Sequence, residues 1–121
     1  MSEGQYMTMG NYLNYPLSRG TLHITSRNVY AAPDFRPNFL SHPTDLTPHI
    51  WGYKKNREIM RRMSSFNGEV TDTHPPFPAT SQAVCIDKYD SNVKNIEYSA
   101  EDDKILEQWL REKIETCWHS L

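Results

Sequence analysis

The feature that most constrains the fold is an amphipathic run near the C-terminus, residues 99–117. Ser99 is a favourable N-cap residue, Asp102 stands where it completes a capping box, and the first turn is rich in negative charge. Apolar side chains then recur at the spacing of one helix face: Leu106, Leu110, Ile114 and Cys117. The run predicts a helix whose apolar face must be covered, with the stripe continuing to Trp118 and His119.

The sequence ends immediately after this stripe, at Trp118-His119-Ser120-Leu121. Helices usually close with glycine, asparagine or a basic residue followed by a turn, and the last residues of most domains are polar. Neither feature is present here. We therefore expect the chain to be cut through a functional site, with His119 as its chemically most important side chain.

The composition suits a single, incomplete domain and argues against several classes of partner. Only 37% of the 121 residues are hydrophobic, while seven Tyr and three Trp indicate amphipathic surfaces that something else covers. A net charge of −2 gives no electrostatic footprint for nucleic acid or an anionic membrane surface. The sequence shows the pattern of neither a transmembrane stretch nor a signal peptide, and Cys85 and Cys117 are expected to be unpaired thiols.

The N-terminal part is patterned as strands. Residues 6–15 and 21–26 alternate in polarity, and the turn-rich segment between them favours two antiparallel neighbours. Leu22 and Ile24 share one face of the second strand. His23 lies on the opposite face, so it is expected to be a surface residue rather than a ligand.

A first helix is predicted to begin at Pro43 or Pro48, because proline is well tolerated in the first turn. An apolar stripe follows, formed by Leu46, Ile50, Tyr53, Met60 and Met63. Arg57 interrupts it, and the basic residues of this segment are expected to form a solvated face: Lys54, Lys55, Arg57, Arg61 and Arg62. His42 and His49 lie two helical turns apart, but no third histidine or cysteine joins them, so no metal site is expected.

The remaining segments are predicted to be loops. Residues 28–42 are rich in proline and aromatic side chains, which indicates an extended, anchored loop, and residues 67–95 form the least structured part. Only Ala83–Ile86 has the composition of a short strand. The whole pattern predicts an α+β fold, an antiparallel or mixed sheet with two helices packed on one face.

Seven segments, taken in order, resemble the glucose-methanol-choline (GMC) oxidoreductases in the C-terminal half of their substrate-binding domain. They are Pro16–Gly20, Leu22–Ser26, Ala32–Phe35, Phe39–Ser41, Trp51–Glu58, Glu101–Lys104 and Thr116–Leu121. Within the family, the similarity is to fungal alcohol (methanol) oxidases, and it runs from about Tyr12 to Leu121. The resemblance identifies residues 1–121 as a partial GMC substrate-binding domain, with the FAD-binding domain absent.

The resemblance assigns a role to His119. In the family, the histidine of a Trp-His segment serves as the catalytic acid/base over the flavin, which suits an imidazole with an ordinary pKa of about 6.5. The resemblance implies FAD as cofactor, a small primary alcohol as substrate, and dioxygen as electron acceptor with hydrogen peroxide formed. Trp118 is expected to narrow the substrate pocket, and no FAD-binding residue or metal ligand is assigned in this chain.

The departures from the family are large. No G-x-G-x-x-G turn occurs, so FAD has no binding domain here. The Gly-Thr that follows the Trp-His segment in the family and the second catalytic residue are absent, and the segment between Pro78 and Ile96 is short. We therefore expect the isolated chain to be inactive.

Two alternatives to a small-alcohol oxidase stay open. In the first, the chain is a non-catalytic remnant or an interaction module, whose exposed stripe of Leu106, Leu110 and Ile114 docks on a partner. In the second, it is part of a GMC enzyme that acts on a different alcohol. The resemblance to methanol oxidases suggests methanol metabolism in the peroxisome, otherwise the cytoplasm, although His119-Ser120-Leu121 is no clear targeting tripeptide. It allows an oligomer, and neither nucleic acid nor a membrane is an expected partner.

Overall fold

The structure is a computed structural model that describes residues 4–89 and 92–116. The elements in chain order are strands β1 (Thr21–His23) and β2 (Asp34–Arg36), helix α1 (Pro43–Arg61), a 3-10 turn (Thr71–Thr73) and helix α2 (Ala100–Lys113). Two helices and a small antiparallel sheet confirm the predicted α+β class.

The sheet is a two-stranded hairpin. Strands β1 and β2 are antiparallel, and Leu22 lies opposite Phe35 in the register. The backbone of Gly20 passes so close to β2 that an added Cβ would lie 2.7 Å from the carbonyl oxygen of Arg36. Glycine is therefore required where the chain enters the hairpin.

Two strand predictions were wrong, and a third was confirmed only in part. Residues 6–15 form no strand, the predicted strand 21–26 is regular only over Thr21–His23, and its partner lies at Asp34–Arg36, inside the segment predicted to be a loop. Ala83–Ile86 is not a strand, because Ala83 lies in a turn, Val84 in a bend, and the next two residues have irregular backbone. Alternating polarity did not locate the strands, because strands of three residues depend on pairing with a distant segment. The periodicity of one segment contains no information about its partner.

Helix α1 begins where the sequence predicts. His42 is the N-cap, and its Nδ1 accepts a hydrogen bond of 3.3 Å from the backbone N–H of Thr44. Pro43 occupies the first helical position, where its missing N–H costs nothing. His42 therefore serves as a helix cap.

Helix α2 also begins as predicted but ends earlier. The hydroxyl of Ser99 accepts a hydrogen bond from the N–H of Asp102, and the Asp102 carboxylate accepts one from the N–H of Ser99, which completes the capping box. The predicted run to Cys117 stops at Lys113, because Ile114 is extended with φ −66° and ψ 133°. Residues 117–121 lie outside the described part of the chain.

The core lies between the two helices and the loop that joins them. It is formed by Leu40, Leu46, Phe77, Ala83, Ile96, Leu106 and Leu110. Leu106 is fully buried, so the stripe on α2 predicted as an exposed docking surface is instead the centre of the core. Helix α1 packs on α2, and neither strand of the hairpin lies against a helix within the described residues, which differs from the expected arrangement of helices packed on one face of the sheet.

The N-terminal part contributes almost nothing to this core. Of the large hydrophobic side chains exposed among the described residues, twelve precede Leu40 and three follow it. In the ranges that the structure covers, neither α1 nor α2 combines the length and the apolar composition needed to cross a bilayer.

Candidate functional site

The predicted site residues Trp118 and His119 lie outside the described residues. The structure shows how the chain leading to them is held. Leu106 and Leu110 bury one face of α2, and Ile114 packs at the edge of the same core. Burial of this face fixes the axis of α2 up to the point where the helix ends.

Arg111 ties the last turn of α2 to the loop before α1. Its Nη1 donates a hydrogen bond of 3.0 Å to the carbonyl oxygen of Leu40, while its Nε and Nη2 bind the carboxylate of Glu107 one turn earlier. Leu40 has a positive φ of 53°, and Asn38, two residues earlier, has one of 49°. Residues other than glycine rarely adopt this left-handed region. The tether therefore joins the end of α2 to a conformationally restricted loop.

The strongest cluster of charge in the described chain is an ionic triad formed by Arg57, Glu69 and Arg61. Arg57 donates from Nε and Nη2 to the two oxygens of Glu69, at 2.7 and 2.8 Å. Arg61 donates to the same oxygens at 3.2 and 2.6 Å. The side chains of Arg57 and Glu69 are only 3% and 6% exposed, so this is a buried pair with fork-to-fork geometry.

The triad overturns one prediction. Arg57 and Arg61 are buried rather than part of a solvated basic face, while Arg62 is exposed as expected. The signal was present in the sequence, because Arg57 follows Tyr53 by four positions on the apolar stripe and Arg61 follows Arg57 by another four. The missing information was the partner, Glu69, which lies in the segment predicted to be unstructured.

Backbone carbonyl oxygens accept further hydrogen bonds from the two guanidinium groups of the triad. The guanidinium of Arg57 donates to the carbonyl of Ala83 at 2.9 Å, and Arg61 donates to the carbonyl of Val84 at 2.9 Å. The Glu69 carboxylate also accepts a hydrogen bond of 3.0 Å from the backbone N–H of Ile86. The triad therefore anchors residues 83–86 to α1 without a strand.

The pKa values agree with a permanently charged triad. Burial alone would raise the pKa of Glu69, but hydrogen bonds and charges from Arg57 and Arg61 outweigh it and lower the pKa to about 2. Burial acts to lower the pKa of Arg57, and the Glu69 carboxylate more than compensates, so that the pKa is raised. With the Glu69 carboxylate ionised and guanidinium groups charged in proteins, the triad has a net positive charge at neutral pH.

A second buried carboxylate, Asp45, joins the N-terminal part to α1. It accepts hydrogen bonds from the N–H groups of Leu17 and Ser18 at 2.8 and 2.7 Å and from the Ser18 hydroxyl at 2.6 Å. The hydrogen bond from Leu17, followed by those from Ser18, lowers the pKa of Asp45 to about 2. Asp45 therefore has a structural partner in addition to its place in the first turn of α1.

The described histidines are placed in separate environments. His74 Nδ1 shares a hydrogen bond of 2.9 Å with the Tyr53 hydroxyl, His49 accepts one from the Asn11 amide at 3.1 Å, and His23 is exposed as expected. Burial lowers the pKa of His74 and of His49 below the ordinary value. Among residues 4–89 and 92–116, no three His, Cys, Asp or Glu side chains converge as a metal-binding group.

The described residues do not fit FAD. A dinucleotide requires a helix N-terminus open to its pyrophosphate after a glycine-rich turn, within a βαβ unit. Here the sheet is an antiparallel hairpin, and acidic side chains occupy the first turns of both helices: Asp45 in α1 and Glu101, Asp102 and Asp103 in α2. Their negative charge would repel a pyrophosphate at either position.

The buried charged groups of the described residues are engaged in structural pairing. They are paired with each other or with backbone, and the partly buried Cys85 has its pKa raised by burial, which disfavours the reactive thiolate.

Comparison with known proteins identifies relatives along almost the whole sequence. Alcohol oxidase 1 of Komagataella phaffii is 39% identical over 159 aligned positions, which include 98% of this chain and 24% of that protein. Alcohol oxidase of Pichia angusta is 40% identical over the same shares. Oxidoreductase cicC of Emericella nidulans is 28% identical over 115 positions, 95% of this chain and 16% of that protein.

The alignments differ in length in an informative way. Since 98% of 121 residues is about 119, roughly 40 of the 159 aligned positions of the Komagataella protein have no counterpart in this chain. The 115 positions aligned with cicC correspond to 95% of the chain, which leaves almost no such gap. The chain is thus short relative to the alcohol oxidases but not relative to every related oxidoreductase.

The family assignment rests on a match over most of the molecule. The family model described as GMC oxidoreductase matches residues 16–121, which include the hairpin, both helices and the segment with Trp118 and His119. The chain spans about a quarter of the length of the alcohol oxidases that it matches. It belongs to the GMC oxidoreductase family.

Proposed function

We propose that the chain is the substrate-domain portion of an FAD-dependent alcohol oxidase, which converts a small primary alcohol to the aldehyde and passes the electrons to dioxygen, forming hydrogen peroxide. The observation that supports this most strongly is the identity of 39 to 40% to two alcohol oxidases over 98% of the chain. Similarity at this level over a continuous fold is more specific than any one motif in the sequence.

In this proposal His119 accepts the hydroxyl proton of the alcohol. An imidazole of ordinary pKa, about 6.5, is largely neutral at pH 7 and has a free nitrogen for that proton. Trp118 forms one wall of the alcohol pocket and limits the length of the substrate. FAD is held by parts of the enzyme outside the described residues, since these do not fit it.

The helical part supports this chemistry by position. The core contacts of α2 and the bond from Arg111 to the Leu40 carbonyl fix a helix that ends at Lys113, with four residues between it and the Trp-His segment. Catalytic groups need placement within a fraction of an ångström, and packed helices supply it better than loops. The proposed role of α2 is therefore to anchor the chain from which the Trp-His segment continues.

A chimera tests the proposal. The matched segment of Komagataella alcohol oxidase 1 is replaced by residues 1–121, and peroxide formation is measured with methanol, ethanol and butanol. Changing His119 to Gln should lower kcat by at least about 100-fold with flavin content unchanged, as expected for loss of a general base. The matched control is Lys104→Gln on the exposed face of α2, which should leave kcat unchanged.

The same chimera tests the alcohol pocket. Changing Trp118 to Ala should raise kcat/KM for butanol relative to methanol, because a shorter side chain lengthens the pocket. An unchanged preference among the three alcohols would contradict the role of Trp118, and a His119→Gln chimera of normal kcat would contradict the role of the base. Purified residues 1–121 alone should be colourless, and flavin absorbance in a one-to-one ratio would contradict the proposed division of the enzyme.

A further inference from the structure

Three aromatic rings lie in a row that joins α2, α1 and the loop between them. Tyr53 of α1 is in the middle, with its ring centroid 5.8 Å from that of Trp109 in α2 and 5.9 Å from that of His74 in the loop. The Tyr53 hydroxyl and His74 Nδ1 are 2.9 Å apart, within hydrogen-bond distance. We call these three side chains, all partly buried, the aromatic row.

The hydrogen bond in the row pairs a phenol with a base. Burial raises the pKa of Tyr53 above its ordinary value, so the hydroxyl keeps its proton at neutral pH. Burial lowers the pKa of His74 below its ordinary value, so the imidazole is neutral and one of its ring nitrogens carries no hydrogen. The pair can therefore pass a proton from the phenol to the imidazole once the phenol becomes more acidic, as it does when it is oxidised.

The charges around Tyr53 determine the form in which it can be oxidised. The guanidinium carbon of Arg57 lies 5.7 Å from the centroid of the Tyr53 ring, and the triad to which it belongs has a net positive charge. A positively charged ring radical would be repelled at this position. Loss of an electron from Tyr53 therefore requires loss of its proton, and His74 Nδ1 is within reach to accept it.

Trp109 provides the entry to the row. Its indole is only partly buried, so a small oxidant can reach it from solvent, and its contact distance to Tyr53 is that of an ordinary aromatic pair. Electrons cross a contact of this length readily. Because a tyrosine that can release its proton is easier to oxidise than a tryptophan at neutral pH, an electron moves from Tyr53 to an oxidised Trp109.

We propose that the aromatic row is a redox relay, in which Tyr53 gives one electron to oxidised Trp109 and its phenolic proton to His74 Nδ1. An oxygen-derived radical first takes one electron from the Trp109 indole and is reduced. Tyr53 restores that electron as its O–H bond breaks, which leaves a neutral tyrosyl radical and a His74 imidazolium. A small thiol then gives a hydrogen atom to the phenoxyl oxygen, and the imidazolium releases its proton to water.

Pulse radiolysis of residues 1–121 tests the relay with the azide radical, a one-electron oxidant that prefers tryptophan and becomes azide. The absorption of the tryptophan radical should convert to that of a tyrosyl radical at a rate independent of protein concentration. Tyr53→Phe and Trp109→Phe should each remove most of this conversion. The matched controls are Tyr30→Phe and Trp51→Phe, whose side chains are 93% and 64% exposed, and both should leave it unchanged.

A further variant separates proton transfer from structure. His74→Asn keeps a hydrogen-bond acceptor beside the Tyr53 hydroxyl but has no basic nitrogen. It should slow the conversion by at least about tenfold, since a positioned base contributes more than that to a proton transfer, and should leave the melting temperature unchanged. An equal rate in His74→Asn and the unaltered chain would overturn the relay and show that the hydrogen bond is structural only.

The pH dependence tests the relay without any variant. The conversion should slow as the pH falls through the lowered pKa of His74, because the imidazole is then already protonated. Glu69, Arg57 and Arg61 face His74 and stay charged in this range, and the Tyr53 phenol stays protonated, so His74 is the group that titrates. A rate that is constant between about pH 7 and pH 5, where imidazoles titrate, would overturn the proposal.

The relay rests on contacts among the described residues and goes beyond the proposed function. Only the natural source of the oxidant is linked to that function, because oxygen-derived radicals form from hydrogen peroxide, the product proposed above. The azide radical supplies the oxidant in the experiment, and peroxide formation by the chimera is measured separately. The relay and the alcohol oxidase proposal can therefore fail independently.

Discussion

Residues 4–39 and residues 40–116 use apolar side chains in opposite ways. In the first region most large apolar side chains face solvent, whereas the second forms a core between α1, α2 and the loop that joins them. Ionic groups follow the same division, because the buried triad lies wholly in the second region. The comparison shows that apolar burial is concentrated in the helical region and that the hairpin region adds little to it.

The buried ionic triad is the feature of the helical region that is most costly to disturb. Removing its acidic member should therefore have the largest effect on the free energy of unfolding. Changing Glu69 to Gln leaves two buried guanidinium groups without a counter-ion, so the free energy of unfolding should fall by about 3 to 5 kcal/mol. Urea denaturation of residues 1–121 measures it. The control is Glu101→Gln, which removes an exposed ion pair with Lys104 and should cost less than about 1 kcal/mol. Equal losses of unfolding free energy in both variants would show that the buried triad stabilises the fold no more than the exposed ion pair does.

Matched truncations of leucine compare the two regions directly. Leu106 is 0% exposed, so Leu106→Ala should lower the free energy of unfolding by about 2 to 5 kcal/mol through lost burial and a cavity. Leu22→Ala should change it by less than about 0.5 kcal/mol in the isolated chain, because its side chain is already in water. A large loss from Leu22→Ala would mean that the Leu22 side chain is covered in the isolated chain.

Acid should weaken the helical region through Glu69. Its pKa is lowered from 4.5 to about 2 in the folded state, so the charged triad stabilises the fold fully above pH 4.5 and this stabilisation is lost as the pH falls towards 2. Asp45, with a pKa also lowered to about 2, acts in the same direction. Melting temperatures between pH 6 and pH 2 should decline, and the decline should be shallower in Glu69→Gln.

The smallest effect is expected from the turn into the hairpin. Changing Gly20 to Ala brings a methyl group within 2.7 Å of a backbone oxygen, which must open the hairpin locally. Because neither strand packs on α1 or α2 among the described residues, the melting temperature of the helical region should barely move. The helical signal in circular dichroism, followed during heating, measures this melting temperature. A substantial drop in the melting temperature would show that the two regions unfold together.

Local chemistry accounts for what the sequence predicted correctly. The starts of both helices depend on side chains within a few residues, such as Pro43 in α1 and the reciprocal bonds of Ser99 and Asp102 in α2. Such signals are complete in a short window. The end of α2 was less certain because no glycine marks it, and the extended Ile114 is an ordinary β-branched residue.

Long-range pairing accounts for what the sequence did not predict. Arg57 and Glu69 are twelve positions apart, and the partner of β1 lies beyond a ten-residue connection. No periodicity links such residues, and a basic residue on an apolar stripe has two explanations, a solvated edge or a buried partner. Only the fold distinguishes them. The roles of Trp118 and His119 come from the family resemblance and stay predictions.

Native-state hydrogen exchange of isolated residues 1–121 tests the division into two regions most directly. Backbone amides of α1 and α2 should exchange only through global unfolding, with protection that Glu69→Gln reduces strongly. Amides of the hairpin should exchange with little protection and should not respond to Glu69→Gln. Protection of residues 21–36 equal to that of the helices, and lost together with it in the variant, would contradict the division and show one cooperative unit.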